Sequence, residues 1–242
     1  VRQGDSSVLV TVVAGHTPAK FDFLPLTVEY MDRTGGYGKI PGSFPKREGR
    51  SNEREILVSR VIDRPIRPLF PKTWRYDTQI IATVLSFDTD NDTDVLSICG
   101  AAAACCISDI PVKQPAAGVR VVRYDGRLVV NPTRVQQDEA DMVLVVAGTA
   151  DAVCMVEGGG KEVSEAVMMD AMDLAHAEIK KICAAIEELR VLTGSSAKRP
   201  APEAAKIDDT LATKVKAAAT ERISAGLRPG DKQARREPIA AG

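Results

Sequence analysis

Residues 94–108 read Asp-Val-Leu-Ser-Ile-Cys-Gly-Ala-Ala-Ala-Ala-Cys-Cys-Ile-Ser (DVLSICGAAAACCIS). After Asp94 the stretch carries no charge and no proline, and it is longer than an ordinary strand. It predicts a helix, and its Gly and Ala content would let that helix lie very close to a sheet. Working outward from it, Asp77–Leu85 is a strand. Val119–Val130 is a hairpin with Asp125-Gly126 at its turn. Met142–Ala147 and Ala152–Val156 are two further strands. Ala166–Arg190 is a long amphipathic helix with Val167, Ala171, Leu174, Ile179, Ile182 and Ile186 on its apolar side.

Toward the N-terminus, the β-branched run Ser7–Val13 reads as a buried strand and Phe21–Tyr30 as a second, where Pro25 marks an edge or a bulge. Between Arg33 and Arg50 the chain turns to Gly, Pro and basic residues (RTGGYGKIPGSFPKREGR), a long loop, and long loops in compact domains are usually functional or disordered. A helix follows from Asn52, capped by the Asn52/Glu55 pair and faced by Ile56, Leu57 and Val61, until Pro65 and Pro68 bend or end it. Thr193–Pro202 reads as a linker. Glu203–Gly242 suits one exposed helix with a thin apolar face, then a break at Pro229-Gly230, and it calls for a partner domain. Hairpins mixed with helices give an α+β (mixed α/β) domain followed by an all-helical segment.

The composition is that of a globular chain: 242 residues, 44% hydrophobic, 27% charged. Aromatics are only 4%, so Val, Ile, Leu and Ala must build the core. A net charge of −1 gives no global pull toward nucleic acid or membrane, and steering must be local. The five cysteines form no C-x-x-C pair and read as small buried hydrophobes. No membrane span and no secretory leader is expected. The strand-like run close to Val1 leads us to expect that the natural start lies further upstream.

Local charge is concentrated in one place. Between Arg33 and Lys72 ten cations stand against four carboxylates, leaving +6 in a chain that totals −1. Arg60, Arg64 and Arg67 are spaced i, i+4, i+7 and share a helical face if the helix passes Pro65. Such a row can fork onto phosphate oxygens, or it can simply pair with local carboxylates. Phe44, beside Lys46 and Arg47, can stack on a base or pack within its own loop. Asp88, Asp90, Asp92 and Asp94 alternate like a calcium loop, but Thr93 and Cys99 stand where Gly and Glu are needed, so a solvated loop ending in a helix N-cap is expected. Gly158-Gly159-Gly160-Lys161 lacks the rest of a phosphate loop and reads as a strand-to-helix turn. His16 and His176 have no partner at ligand spacing.

Several segments resemble polynucleotide phosphorylases: Asp22–Val28, Ile40–Phe44, Arg47–Arg50, Gln79–Val84, Val130–Thr133, Val145–Thr149, and above all Ile62-Asp63-Arg64-Pro65-Ile66-Arg67-Pro68-Leu69-Phe70-Pro71. Asp231–Arg235 resembles that family's helical domain. The resemblance implies a first ribonuclease-PH-like core over 1–192 with a truncated N-terminus, a linker over 193–204, and the start of a helical domain over 205–242. It implies part of a phosphate-dependent 3′→5′ exoribonuclease in RNA degradation and mRNA turnover. The family's catalytic groups are expected in a second core, together with Mg2+ and the inorganic phosphate co-substrate. This segment is expected to supply contacts to single-stranded RNA through Phe44, Lys46, Arg47, Arg50, Arg60, Arg64 and Arg67, and to assemble a homotrimeric ring. Pro45 and Lys46 depart from the family's usual second aromatic and arginine. The bacterial look of Gly38–Gly42 favours the cytoplasm, with mitochondrion or chloroplast as alternatives. The competing reading is a non-catalytic RNA-binding ring subunit of an exosome-like complex. The tail from Ala205 to Arg235 favours the phosphorylase.

Overall fold

The computed structural model describes residues 1–20, 22–43, 49–194, 197–203 and 208–227. Two compact units are present, Val1–Pro202 and Glu203–Gly242. The first is a mixed α/β unit in the order β1 (Arg2–Gln3), β2 (Ser6–Pro18), β3 (Leu26–Met31), α1 (Glu53–Ile66), β4 (Tyr76–Ser86), α2 (Thr93–Ile107), β5 (Ala116–Tyr124), β6 (Arg127–Val130), α3 (Arg134–Glu139), β7 (Met142–Thr149), β8 (Val153–Gly160) and α4 (Glu165–Leu192). The second unit contains α5 (Asp209–Leu227), with Leu211, Val215, Ile223 and Leu227 along one side and Asp208 accepting from Thr210 N at its start.

One sheet has the order β1-β2-β4-β3, the other β6-β5-β7-β8. The second is antiparallel throughout. In the first, β3 and β4 run parallel, from Leu26 opposite Thr78 to Met31 opposite Thr83. A parallel pair needs a crossover, and α1 supplies it. The β5–β6 turn places Asp125 at φ 49° and Gly126 at φ 70°, the two left-handed residues a type I′ turn requires.

Helix α2 packs against β2 and β5 and against α1 and α4. It buries twelve of its fifteen residues, so it has no solvent face. Two glycines permit the close approach. A Cβ on Gly100 would stand 2.6 Å from Val10 Cγ2, and one on Gly118 of β5 would stand 2.8 Å from Ile98 Cδ1. One apolar cluster joins Val8, Tyr30, Ile62, Ile80, Trp74 and Ile98 under the first sheet. A second joins Val119, Val121, Val146, Ala175 and Ile179 between the second sheet and α4. Two polar contacts lie within this core: Tyr30 and Thr93 share a 2.6 Å hydroxyl bond, and Trp74 Nε1 donates to Thr78 Oγ1 at 3.0 Å.

Some boundaries differ from the sequence reading. β3 begins at Leu26 because the described residues before it do not alternate toward the core; Asp22 is exposed and Phe23 is 58% exposed. Pro25 precedes β3, which is an edge strand. Gly158–Gly160 are the last residues of β8 rather than a turn, since strand pairing with β7 continues to Gly160 opposite Met142. α3, with its Thr133/Gln136 capping box, is an element the sequence reading lacks. α1 does pass Pro65, which falls in its last turn, and the helix ends one residue later at Ile66. Past α4, Lys198 Nζ donates to the carbonyls of Cys105, Cys106 and Ser108, covering the C-terminus of α2. Arg199 donates to the carbonyls of Ala14 and Gly15, pairs with Asp109 and lies 5.5 Å from the Trp74 ring centre. The segment composed like a linker is therefore bolted to the first unit at these two residues.

This packing can be tested at two positions. Gly118→Val should destabilise the fold by about 1–3 kcal/mol, because Ile98 has no room to yield; a denaturation midpoint equal to wild type would contradict the close approach. Asp88 accepts from Asp5 N and Asn91 N at 2.7 and 2.6 Å and from Asn91 Nδ2. Partial desolvation opposes its charge, but these N–H donors outweigh it and hold its pKa down from 3.8 to about 2. Its contribution to stability is thus complete above the ordinary carboxylate value and is lost as pH falls through about 2. Asp88→Asn should flatten the melting temperature against pH in that window, and an unchanged acid limb would refute the assignment.

Candidate nucleic-acid interface

The basic loop is held at its stem. Glu55 closes a capping box with Asn52 (Glu55 N to Asn52 Oδ1 2.8 Å, Asn52 N to Glu55 Oε2 2.8 Å) and also accepts from Asp32 N at 2.9 Å. The loop's departure after β3 and its return into α1 are thereby joined through one carboxylate. Tyr37 donates to Asp32 Oδ2 at 2.7 Å and packs on Phe87, with ring centres 4.6 Å apart. Burial first, then the bond to Asp32 and its charge, push the Tyr37 hydroxyl up to about 12, so it stays a neutral donor. Arg54 lies between Asp32 and Asp92 at 3.8 and 3.9 Å.

The acidic run is a loop, exposed at Asp90, that ends at the N-cap of α2 as expected, but it is not solvated throughout. Asp92 sits at the N-cap of α2 without capping it through its side chain. Asp92 and Asp94 instead bind the two terminal nitrogens of Arg120, a 9% exposed arginine of β5. Arg120 Nη1 also donates to Gln137 Oε1 at 2.9 Å, while its buried Nε has no hydrogen-bond partner among the described residues. Burying Arg120 is tolerable only because these carboxylates face it. Sequence spacing showed the alternating acids, but nothing in it pointed to a cation 26 residues beyond Asp94.

The predicted RNA contacts divide. Phe44, Lys46 and Arg47 lie outside the described residues. Arg50 and Arg60 are exposed and have no ion-pair partner among the described residues. Arg64, half exposed, donates to Glu157 of β8 at 2.6 Å. An exposed pair of this kind contributes about 0–1 kcal/mol, so a phosphate can displace it. Arg67 is different. It forks onto Asp63 at 2.9 and 2.8 Å and donates to the carbonyls of Leu24 and Leu26. Four of its five N–H groups are thus taken, and it fastens the start of β3 to α1.

Between α1 and the outer face of the second sheet lies a cleft of about 310 Å3. Val58 and Val61 form one wall; Val143, Val145 and the glycines Gly158 and Gly159 form the other. Asp94, Arg120 and Gln137 also line it, and the Arg64–Glu157 pair joins its two walls. Its carboxylates are already matched to arginines. Among the described residues no group of three His, Cys, Asp or Glu side chains could hold a metal ion. Nor is there an activated nucleophile among the thiols that titrate abnormally: burial pushes Cys105 up to about 12 and Cys183 to about 11, and raises Cys99 and Cys106. His176 Nε2 is 3.1 Å from the carbonyl of Thr149, a structural contact. Among the described residues no helix is long and apolar enough to cross a membrane.

Residues 1–111 match the family model "3' exoribonuclease family, domain 1", and residues 114–178 match "3' exoribonuclease family, domain 2". The division falls between α2 and β5, where the chain leaves one sheet for the other. A polyribonucleotide nucleotidyltransferase of Sulfurihydrogenibium sp. (strain YO3AOP1) is 52% identical over 245 residues, covering 100% of this chain and 34% of the relative. Those of Persephonella marina and Anaeromyxobacter dehalogenans (strain 2CP-1) are 55% and 51% identical over 80% and 92% of this chain, and over 28% and 31% of their own lengths. The chain thus spans about a third of the curated relatives it matches. The crystal structure of rice (Oryza sativa) Rrp46 shares the fold, with a TM-score of 0.63 at 14% identity over 78% of this chain and 86% of that one. With both parts of the family pattern matched in order across the first unit, the chain belongs to the 3′ exoribonuclease family.

Proposed function

We propose that this chain supplies the first ribonuclease-PH-like core and the opening of the helical domain of a polyribonucleotide nucleotidyltransferase, a phosphate-dependent 3′→5′ exoribonuclease acting in RNA degradation and mRNA turnover. The observation that carries this reading is the 52% identity running over the whole chain, the second unit included, to a relative of that name. The likeness to Rrp46 supports the fold alone, so a non-catalytic ring subunit is the weaker reading. In this proposal residues 1–192 form the core, 193–204 connect it and 205–242 begin the helical domain. Catalysis, Mg2+ and the phosphate co-substrate belong to a second core. The assembly is a homotrimeric ring, and the bacterial relatives favour the cytoplasm.

The contribution of this segment is to grip single-stranded RNA. The cations available for this are Arg50, Arg60 and Arg64 on and before α1, with Phe44, Lys46 and Arg47 on the loop whose stem Glu55 and Asp32 hold. They meet phosphates without reading bases, so binding falls with salt equally for all sequences. Arg67 is assigned to the same row but acts by holding α1 against β3.

Two outcomes test this. Replacing Arg60 and Arg64 together with Ala should lower the log–log salt slope of oligo(A) binding by roughly 0.7 for each phosphate that is no longer neutralised, with melting unchanged; Arg67→Met should instead lower the melting temperature. An unchanged slope in the double variant would remove α1 from the RNA path. The 242-residue chain alone, supplied with phosphate and Mg2+, should release no ADP from poly(A). Phosphorolysis by chain purified from a host lacking its own enzyme would overturn the division of labour.

A further inference from the structure

We propose that the cleft between α1 and the second sheet binds a single nucleotide, base inward and phosphate at the rim; this rests on reading the chain as an RNA-handling core. At about 310 Å3 the cleft stands at the small end of small-molecule sites, which run from roughly 300 to 1,000 Å3. Its walls suit a flat, weakly polar ring. Val58 and Val61 face Val143 and Val145, and Gly159 leaves open space where a side chain would stand. Arg120, nine-tenths buried, lines the same space, and Asp92, Asp94 and Gln137 already accept from its terminal nitrogens, so the polar lining is paired and the free surface of the cleft is apolar. At the rim, Arg64 is held only by the exposed Glu157, and Arg60 lies one turn away on the same helical face. A phosphate entering there exchanges Glu157 for itself on Arg64.

The register shows how to fill the cleft without touching the fold. Gly159 is directly opposite Val143 on β7, and partners across a ladder share a face. A side chain at 159 therefore points to the Val143 side, and a Cβ there meets nothing within 4 Å. Gly158, by contrast, is closed by the carbonyl of Val143.

The experiment is calorimetric titration of the 242-residue chain with ADP and, separately, with oligo(A), for wild type, Gly159→Leu, Val145→Phe and Glu157→Gln, with thermal melting as the check on folding. Gly159→Leu and Val145→Phe should each weaken ADP binding by about tenfold or more, the scale of a single base stacking interaction. Glu157→Gln should tighten it several-fold by freeing Arg64. If oligo(A) weakens in step, the nucleotide belongs to the RNA strand; if only ADP responds, it is a free nucleotide, and either result supports the cleft. Folded Gly159→Leu and Val145→Phe chains that bind both ligands as wild type does would overturn it, while an intact salt slope for oligo(A) would leave the RNA-gripping surface standing. Should one filled variant fail to fold, the other and Glu157→Gln decide. Absence of any ADP or oligo(A) binding to wild type would overturn the cleft and the RNA reading together.

Discussion

A helix with no polar side cannot lie on a surface. α2 offers water almost nothing, so it must be enclosed, and the rest of the first unit is arranged to do that. Two sheets, α1 and α4 surround it, and the glycines at 100 and 118 set how near β2 and β5 come. The enclosure also fixes where its ends emerge. At the N-terminal end Asp92 and Asp94 meet Arg120 and hold α2 to β5. At the C-terminal end Lys198 covers three carbonyls that the helix cannot satisfy itself. Polar groups thus appear at the two ends of an apolar rod, where each is matched by charge.

The same organisation explains why one arginine row contains two kinds of arginine. Spacing suggests one face for Arg60, Arg64 and Arg67; Arg60 and Arg64 lie on α1, and Arg67 is its C-cap residue. Their environments differ because the face runs from solvent at one end to the β3 stem at the other. Arg67 donates to the carbonyls of Leu24 and Leu26 and is drawn into the fold. Arg60 and Arg64 lie beyond that stem and remain available. Charge counting gives a patch its sign, but only the backbone beneath it decides which cations can leave for a ligand.

Much of this is legible from sequence, for physical reasons. The Asp125-Gly126 turn, the Asn52/Glu55 capping box and the Ala-rich helix are local signals, complete within a few residues. What is not legible is non-local. The Asp94–Arg120 contact spans two elements, the Arg64–Glu157 pair spans 93 positions, and Lys198 reaches back 93 to Cys105. Gly158–Gly160 looks like a turn in sequence because glycine usually marks one; the partner strand β7 makes it an edge instead. The acidic run looks solvated because its cation is not nearby in the chain. Of the RNA contacts, the α1 arginines could be placed, while Phe44, Lys46 and Arg47 lie outside the described residues.

The parallel pair of β3 and β4, and the antiparallel pair of β2 and β4, set a delay during synthesis. Val10 of β2 must wait for Ala82, about seventy residues later, before its strand has a neighbour on that side. At ribosomal speeds of about 5–20 residues per second, that is roughly 4 to 15 seconds. Through that interval a β-branched, largely uncharged strand stands with one edge open, and α2, made later still, has not yet covered its inner face. The nascent chain is therefore most prone to misassociation while β2 waits, and it is in this period that ribosome-associated chaperones have something to hold.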